Sequence, residues 1–255
     1  AQLLERLRSS DFDLWSYGAG SERDVHPVDV KQDVAGLRGA IRAREQIIEI
    51  DSPLIGAANL QNILGAVGVG RALGIEAETI ARGFQQLRSV PGRLEKVANN
   101  RGMTILVDYA HSPDALEKVL TALRPAVVEG GELICVFGCG GDRDAGKRPD
   151  MGGVAAHPAA RVVVTRANPR GEDPAAIADA VVRGIRDTGS SCWALELDRG
   201  AAIREAIAAA YGGDVVLVAG KGHEDYQETK GVRVHFSDAE VAIAALAERT
   251  TEERG

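Results

Sequence analysis

Apolar and polar positions change their pattern near Ser89, which divides the chain into two regions. In the first region, short alternating runs predict strands at 13–17, 25–30 and 47–50, read as the edge or tail of a sheet. Apolar residues at helical spacing then predict helices at 57–73, ending at Gly74, and at 78–87. Because Val90-Pro91-Gly92 breaks this pattern, we place a domain boundary there, giving domains 1–89 and 90–255.

The second region has the pattern of an α/β fold with a mostly parallel sheet, because apolar strands alternate strictly with helical segments. The predicted strands are 103–107, 133–137, 161–165, 193–197, 215–219 and 232–236. The predicted helices are 112–123, 150–156, 174–186, 200–210 and 238–247. Ser112 before Pro113 is a typical helix start, with the serine as N-cap, and Ser237 caps the last helix in the same way.

Three of these strands lead into polar loops. The strand at 133–137 is followed by four closely spaced glycines and a group of charges up to Arg148. The strand at 161–165 leads to Asn168-Pro169-Arg170, and the strand at 215–219 leads to Gly220-Lys221-Gly222-His223-Glu224. Since the carboxyl ends of parallel strands share one edge of the sheet, we expect these loops to face a single crevice.

The charged residues of the loops suggest a ligand with carboxylates and an amine. A guanidinium at Arg143 or Arg170 can hold a carboxylate through two parallel hydrogen bonds, and Glu224 can accept an ammonium group. The alternative is that both arginines form surface salt bridges with Asp142, Asp144 and Glu172. Lys221 lacks the spacing of a Walker A loop, which occurs nowhere in the chain, and is interpreted as a solvated turn lysine.

Two further groups of polar residues lie where a ligand could reach them. Asp108, Tyr109 and His111 lie between a strand and a helix start, a place that favours an anion, although a lone histidine such as His111 is more often a structural residue hydrogen-bonded at a helix entry. Asn59 and Asn62 share a helix face from which amides could read a purine, or they could cap or pack instead.

Some residues of reactive or flexible type have simpler explanations. Gly68 and Gly70 follow no strand, so close helix packing explains them better than a dinucleotide site. Cys139 is interpreted as a small residue in a tight turn rather than a ligand or nucleophile.

Composition narrows the function classes. A net charge of −7 argues against a general binder of nucleic acid or anionic membranes. Three cysteines without a paired spacing favour free thiols in a reducing compartment. No run approaches a membrane span and the start does not resemble a signal sequence, so we expect a cytoplasmic protein. The absence of an initiator methionine fits a processed or excised fragment.

Taken together, five motifs that occur in order within residues 13–247 resemble the Mur ligase family. The resemblance is to the C-terminal half of a Mur ligase. The motifs are Val90 to Glu95, Val107 to Pro113, Phe137 to Arg148, Asn168 to Arg170 and Ala219 to Gln227. The resemblance implies a Rossmann-like C-terminal domain that binds an amino acid, preceded by the tail of a central ATPase domain whose P-loop has no counterpart here. It also implies an ATP-dependent amide-forming ligase of peptidoglycan biosynthesis, using ATP and Mg²⁺ mostly through regions absent from this chain.

The resemblance also implies roles for individual residues. The meso-diaminopimelate site would comprise Arg143, Asn168, Pro169, Arg170, Gly220 and Glu224. The ATP site would include Asn59, Asn62, Arg93, Asp108 and His111. No catalytic or metal-binding residue is assigned.

Two positions depart from the family pattern. Ala167 replaces the acid of the family's Asp-Asn-Pro-Arg motif, and Ala58 replaces an aromatic residue. Because Arg170 is retained and can hold a distal carboxylate, diaminopimelate is favoured over lysine as the amino acid added to UDP-N-acetylmuramoyl-L-alanyl-D-glutamate.

Several alternatives stay open. They are a Mur ligase that adds lysine or D-alanyl-D-alanine, a non-catalytic ligand-binding domain, and a dinucleotide-dependent oxidoreductase that uses Gly138 and Gly140 as a cofactor turn. The expected partners are small-molecule substrates, the chain is expected to be a monomer, and alone it is expected to lack ligase activity.

Overall fold

The computed structural model describes residues 12–252 of the chain, with side chains as far as residue 248. The chain divides into two compact units, Ala1–Ser89 and Val90–Gly255. Within the described residues, no helix has both the length and the apolar character needed to cross a membrane.

The first unit contains an antiparallel meander of three strands, β1 (Val25–Asp33), β2 (Gly36–Ala43) and β3 (Gln46–Ser52), paired in that order. Strand β2 was not predicted, because glycines and arginines interrupt its apolar alternation. The strand predicted at 13–17 is wrong, since only Tyr17 forms an isolated bridge, with Val25.

Two helices complete this unit, α1 (Ala57–Ala72) and α2 (Ala77–Gln86), close to their predicted bounds. Ile63, Leu64 and Val67 of α1 are buried with apolar residues of the sheet. A β-carbon added at Gly70 would lie 2.9 Å from Ile80 of α2, and one at Gly68 would lie 3.5 Å from Val25 of β1. The close approach at Gly70 supports its role in helix packing, whereas the distance at Gly68 is an ordinary van der Waals contact.

The second unit is built on a six-stranded sheet with the order β4-β5-β9-β6-β7-β8. Its strands are β4 (Glu95–Val97), β5 (Thr104–Asp108), β6 (Leu133–Phe137), β7 (Arg161–Val164), β8 (Trp193–Leu195) and β9 (Val215–Ala219). All neighbours are parallel except β4, which is antiparallel to β5. The predicted α/β class with a mostly parallel sheet is confirmed.

Five helices pack on this sheet, four of them between its successive strands and the fifth as the last element of the chain that the structure describes. They are α3 (Pro113–Leu123), α4 (Lys147–Ala156), α5 (Pro174–Asp187), α6 (Arg199–Ala209) and α7 (Asp238–Glu252). Ser112 caps α3 as predicted, its hydroxyl oxygen accepting a hydrogen bond from the Ala115 N–H. A short 3₁₀ turn, Arg124–Ala126, follows α3.

A separate hairpin pairs β10 (Tyr226–Thr229) with β11 (Val232–His235). The segment 232–236 was predicted as a last strand, whereas β10 was not predicted. Val232 and Val234 are exposed, so their alternation reflects a surface hairpin and not a strand of the central sheet.

The core of the second unit lies at the middle of the sheet. Every residue of β6 and β9 is buried, as expected for parallel strands covered on both faces. The loops that follow β5, β6, β7 and β9 therefore leave one rigid edge of the sheet, which is where ligands bind in open α/β folds.

Candidate functional site

A cavity of about 330 Å³ lies at the carboxyl edge of the sheet. The loops after β5, β6, β7 and β9 all contribute to its lining, together with the start of β10. The lining residues are Tyr109, His111, Gly138, Cys139, Gly140, Arg143, Asp144, Lys147, Ala167, Asn168, Arg170, Gly220, Glu224 and Tyr226. The structure thus brings the three polar loops to a single crevice.

Most of the residues predicted to bind an amino acid lie at this cavity, namely Arg143, Asn168, Arg170, Gly220 and Glu224. Pro169 is buried, and its carbonyl oxygen accepts a hydrogen bond from the Glu172 N–H, so it shapes the loop after β7. Lys147 and Tyr226 were not predicted. Tyr226 directly follows the third polar loop in the sequence, and Lys147 lies next to Arg148 within the first, so continuity with these loops was the available signal.

Glycines allow the loop after β6 to lie directly against the loop after β7. A β-carbon at Gly138 would lie 2.0 Å from the Thr165 carbonyl oxygen, and one at Gly141 would lie 1.9 Å from that of Pro169. The Gly141 N–H donates to the Asn168 carbonyl oxygen at 2.9 Å. Any side chain at these two glycines would separate the loops.

Arg170 is held in an uncommon backbone conformation, with φ of 51° in the left-handed region. Its N–H donates to the Glu228 carbonyl oxygen at 3.1 Å, and its guanidinium Nη1 donates to the Gly141 carbonyl oxygen at 2.8 Å. These two hydrogen bonds hold the Arg170 side chain at the cavity. Strained backbone conformations of this kind are concentrated at functional sites.

Arg143 is exposed, and its guanidinium forms no hydrogen bond or ion pair with any residue the structure describes. A β-carbon at Gly140 would lie 3.0 Å from Nη1 of Arg170 and 3.9 Å from Cγ of Arg143. Both arginine side chains therefore lie against the same glycine, on one side of the cavity.

The alternative in which these arginines pair with neighbouring acids is wrong. Glu172 pairs instead with Arg148, at 2.8 Å, and the Arg148 guanidinium holds the pKa of the Glu172 carboxyl below its usual value. The same carboxylate accepts the Asp142 N–H, while Asp142 accepts the Gly171 N–H. These bonds join the two loops and leave Arg143 and Arg170 without a carboxylate partner among the described residues.

A second network connects the loop after β7 to the loop after β9. Nδ2 of Asn168 donates to Oε2 of Glu224 at 2.9 Å. Lys221 is fully buried beside them, so its interpretation as a solvated turn lysine is wrong. The interpretation failed because flanking glycines are typical of exposed turns, whereas this turn is covered by the chain around Tyr226.

The residues predicted to reach ATP from the second unit form a group near the end of β5. The buried carboxylate of Asp108 accepts hydrogen bonds from the Leu94 and Ala110 N–H groups, both at 2.8 Å, and burial raises its pKa. The guanidinium of Arg93 lies 5.0 Å from the centre of the Tyr109 ring. His111 and His223 lie against the same tyrosine ring, at 4.7 and 5.3 Å between ring centres.

His111 at the cavity also has a structural hydrogen bond. Its Nδ1 lies 2.9 Å from the Tyr109 carbonyl oxygen, while the ring remains exposed. The structural and the ligand-contacting interpretations of His111 are therefore compatible.

In the first unit, Asn59 and Asn62 occupy neighbouring positions near the start of α1. Asn59 is buried and its Nδ2 donates to the Ile55 carbonyl oxygen at 2.8 Å, so it packs at the helix start. Asn62 is exposed, with its Nδ2 3.4 Å from Oδ1 of Asn59. Of the two amides, Asn62 is the more accessible to a ligand.

Groups of three or more His, Cys, Asp or Glu side chains that could hold a metal ion do not occur among residues 12–252. Cys139 is buried beside the cavity, and burial raises the pKa of its thiol to about 11, which disfavours the thiolate needed of a ligand or nucleophile.

A family model described as "Mur ligase, glutamate ligase domain" matches residues 92–222 of the chain. The chain belongs to the Mur ligase family. The resemblance inferred from the motifs is confirmed, and the match lies within the second unit, which carries the cavity.

Relatives within the Mur ligases match almost the whole chain. UDP-N-acetylmuramoyl-L-alanyl-D-glutamate--2,6-diaminopimelate ligase of Synechococcus elongatus is 47% identical over 235 residues, which are 92% of this chain and 46% of that protein. The ligase of the same name from an Acidovorax species is 46% identical, over 98% of this chain and 50% of that protein.

A solved structure of a ligase with this name matches with a TM-score of 0.65 and 35% identity, over 91% of this chain and 47% of that chain. The chain therefore spans about half the length of the curated relatives it matches.

Proposed function

We propose that this chain carries the amino-acid-binding domain of an ATP-dependent ligase that adds meso-diaminopimelate to UDP-N-acetylmuramoyl-L-alanyl-D-glutamate. The observation that carries the proposal is the convergence on one cavity of the guanidinium groups of Arg143 and Arg170, which have no carboxylate partner among the described residues, and of the Glu224 carboxylate. The names and identities of the relatives support it.

The three charged groups match the chemistry of diaminopimelate. Its two carboxylates would be held by Arg143 and Arg170, because a planar guanidinium binds a carboxylate through charge-assisted hydrogen bonds. An ammonium group of the ligand would be held by Glu224, which lines the same cavity. Lysine has only one carboxylate, so it would leave one of the two arginines without a partner.

Ala167 fits this assignment although it replaces the family's acid. Its backbone carbonyl oxygen accepts a hydrogen bond from Nε2 of Gln227 at 2.9 Å, which braces the loop without an acidic side chain. Retention of the loop and of Arg170 supports diaminopimelate over lysine.

The remaining assigned residues would serve ATP. We propose that Arg93, Asp108 and His111 contact the nucleotide from the second unit, and that the first unit, with Asn59 and Asn62, is part of the central ATP-binding domain. Mur ligases in general use ATP with Mg²⁺.

The reaction would form an amide in two stages. Transfer of the terminal phosphoryl group of ATP to the side-chain carboxylate of D-glutamate would give an acyl phosphate and ADP. The amine of diaminopimelate would then attack the acyl carbon, and phosphate would leave. Arg143, Arg170 and Glu224 would fix the position of that amine, which lowers the entropic part of the barrier.

Kinetics of the complete protein test the assignment. We expect Arg170→Ala and Arg143→Ala each to raise the KM for meso-diaminopimelate at least about tenfold, a loss of about 1.4 kcal/mol, with the KM for ATP within about twofold. Arg204→Ala, at an exposed arginine of α6, is the matched control and should change neither constant. Equal effects of Arg170→Ala on both substrates would contradict the assignment.

Binding to the chain itself gives a second test. Isothermal titration calorimetry should detect meso-diaminopimelate binding, with lysine at least about tenfold weaker because one carboxylate is missing. Since the chain contains no Walker A sequence, we expect no ATP-dependent ligation by it alone. Ligation by the purified chain, or tighter binding of lysine, would refute these expectations.

A further inference from the structure

Lys221 lies behind the cavity and not in its wall. It follows Gly220 at the end of β9, its side chain is 0% exposed, and it is not one of the residues that line the cavity. A direct contact between Lys221 and a ligand in the cavity is therefore excluded by its position, and any effect on binding must act through its neighbours.

The ammonium group of Lys221 contacts three residues, one in the loop after β7 and two that follow Lys221 closely in the chain. Its Nζ lies 3.4 Å from Oδ1 of Asn168 and 3.3 Å from Oε2 of Glu224, and it donates to the Tyr226 carbonyl oxygen. It also lies 5.3 Å from the centre of the Tyr226 ring. Asn168, Glu224 and Tyr226 all line the cavity.

These contacts determine which way the Asn168 amide points. Oδ1 of Asn168 receives hydrogen bonds from Lys221 and from the Glu228 N–H, the latter at 3.0 Å. Two donors on one side require the amide oxygen there, so the NH₂ group must face Glu224, to which it donates at 2.9 Å.

The orientation of Glu224 follows from the same contacts. Its Oε2 accepts hydrogen bonds from both Asn168 and Lys221. The other carboxylate oxygen, Oε1, has no hydrogen-bond partner among the described residues, and the side chain is 21% exposed. Because Asn168 and Lys221 hold Oε2, Oε1 is available to a cationic group in the cavity.

A buried lysine is energetically unfavourable at this position. Burial disfavours the charged amine and lowers the pKa of Lys221, and the nearby Arg199 acts in the same direction, while Glu224 and Asp238 act against it. Since apolar residues of similar volume often replace buried charges without loss of stability, packing alone does not account for the ammonium group.

We propose that Lys221 is a positioning residue of the amino-acid site: its ammonium group orients the Asn168 amide and the Glu224 carboxylate so that Oε1 of Glu224 meets an amino group of the ligand. This inference rests on the proposed function. It predicts that Lys221 controls recognition of the ligand's amino groups and has little influence on its carboxylates, which belong to Arg143 and Arg170.

The test compares two ligands in calorimetric titrations of the chain. Pimelate has the carbon chain and both carboxylates of meso-diaminopimelate but neither amino group. We expect Lys221→Met to weaken the binding of meso-diaminopimelate at least about tenfold. The binding of pimelate, measured by displacement titration, should weaken less than about twofold. Lys118→Met, at an exposed lysine of α3, is the control and should change neither affinity.

Lys221→Arg keeps a positive charge and should recover meso-diaminopimelate binding to within about threefold of the original chain, with circular dichroism confirming that each variant is folded. If Lys221→Met does not fold, Lys221→Arg decides the question, and a folded Lys221→Arg variant that binds tenfold more weakly overturns the proposal. A folded Lys221→Met variant that binds meso-diaminopimelate normally, or loses both ligands equally, also overturns it. Failure of the unaltered chain to bind meso-diaminopimelate would instead count against the proposed function.

Discussion

The three cysteines should differ in reactivity because they differ in burial. Cys139 is part of the cavity wall, yet burial raises the pKa of its thiol to about 11, and burial raises that of Cys135 in β6 to about 12. The third cysteine, Cys192, is exposed. Reactivity toward thiol reagents depends on both the thiolate fraction and access, so the three residues should react at different rates.

At pH 8, a chromogenic disulfide reagent should therefore titrate one thiol quickly in the folded chain and all three in guanidinium chloride. Cys192→Ser should remove the fast phase and leave the total in denaturant at two. A fast phase that persists in Cys192→Ser would show that the loop carrying Cys139 opens on the timescale of the assay.

The starts of two helices are joined by a buried ion pair that also supports the site loops. Arg199, the first residue of α6, holds Asp238, the first residue of α7, through two hydrogen bonds of 2.7 Å. The same guanidinium donates to the Ala219 carbonyl oxygen at 2.9 Å, directly before the loop that carries Lys221. Loss of either partner would leave a buried charge without compensation.

Asp238→Asn should accordingly lower the free energy of unfolding by about 3–5 kcal/mol, measured by urea denaturation. The exposed pair Asp114–Lys118 provides the control, since Lys118→Ala should cost less than about 1 kcal/mol. A loss below about 1 kcal/mol for Asp238→Asn would mean that water enters and compensates Arg199.

The contact between the loops after β6 and β7 depends on glycine. Gly141→Ala would place a β-carbon 1.9 Å from the Pro169 carbonyl oxygen, so the loops that carry Arg143 and Arg170 should separate. We expect weaker meso-diaminopimelate binding by at least about tenfold, measured by calorimetry. Gly83→Ala is the control, because Gly83, like Gly141, has no positive φ but nothing lies within 4 Å of its added β-carbon.

Helices and strands are predicted well from the sequence where the pattern of apolar residues along the chain agrees with the packing in the structure. Strands β6 and β9 have their predicted bounds because each is a continuous apolar run that ends at glycine. Strand β2 was missed because its apolar alternation is interrupted. Strand β11 was predicted correctly as a strand, but its pairing with β10 in a hairpin was not predicted.

At the scale of the whole molecule, the position of the site could be predicted because parallel strands end at a common edge of the sheet. The hydrogen bonds within the site could not be predicted. The sequence predicts that Arg143, Arg170 and Glu224 share a crevice. It does not predict that Lys221 is buried beside Asn168 and Glu224, since that depends on its contact with the loop after β7, far earlier in the chain, and on how the start of β10 covers the turn.

The division into two units leads to a prediction for the molecule as a whole. All residues that line the cavity lie within Val90–Gly255, so this segment produced alone should bind meso-diaminopimelate within about threefold of the full chain. Size-exclusion chromatography with light scattering should give a monomer for both. An unfolded segment, or one that does not bind, would show that residues before Val90 are needed to form the site.

Strand order in the sheet also has a consequence for synthesis of the chain. Strand β9 lies between β5 and β6 although it follows both by many residues, and each of them pairs with it. During translation β6 can pair with β7 soon after both emerge, but β5 has no link to β6 until β9 has left the ribosome. The nascent domain therefore exposes the apolar edges of β5 and β6 for most of its synthesis, when chaperone contact and early termination would have their greatest effect.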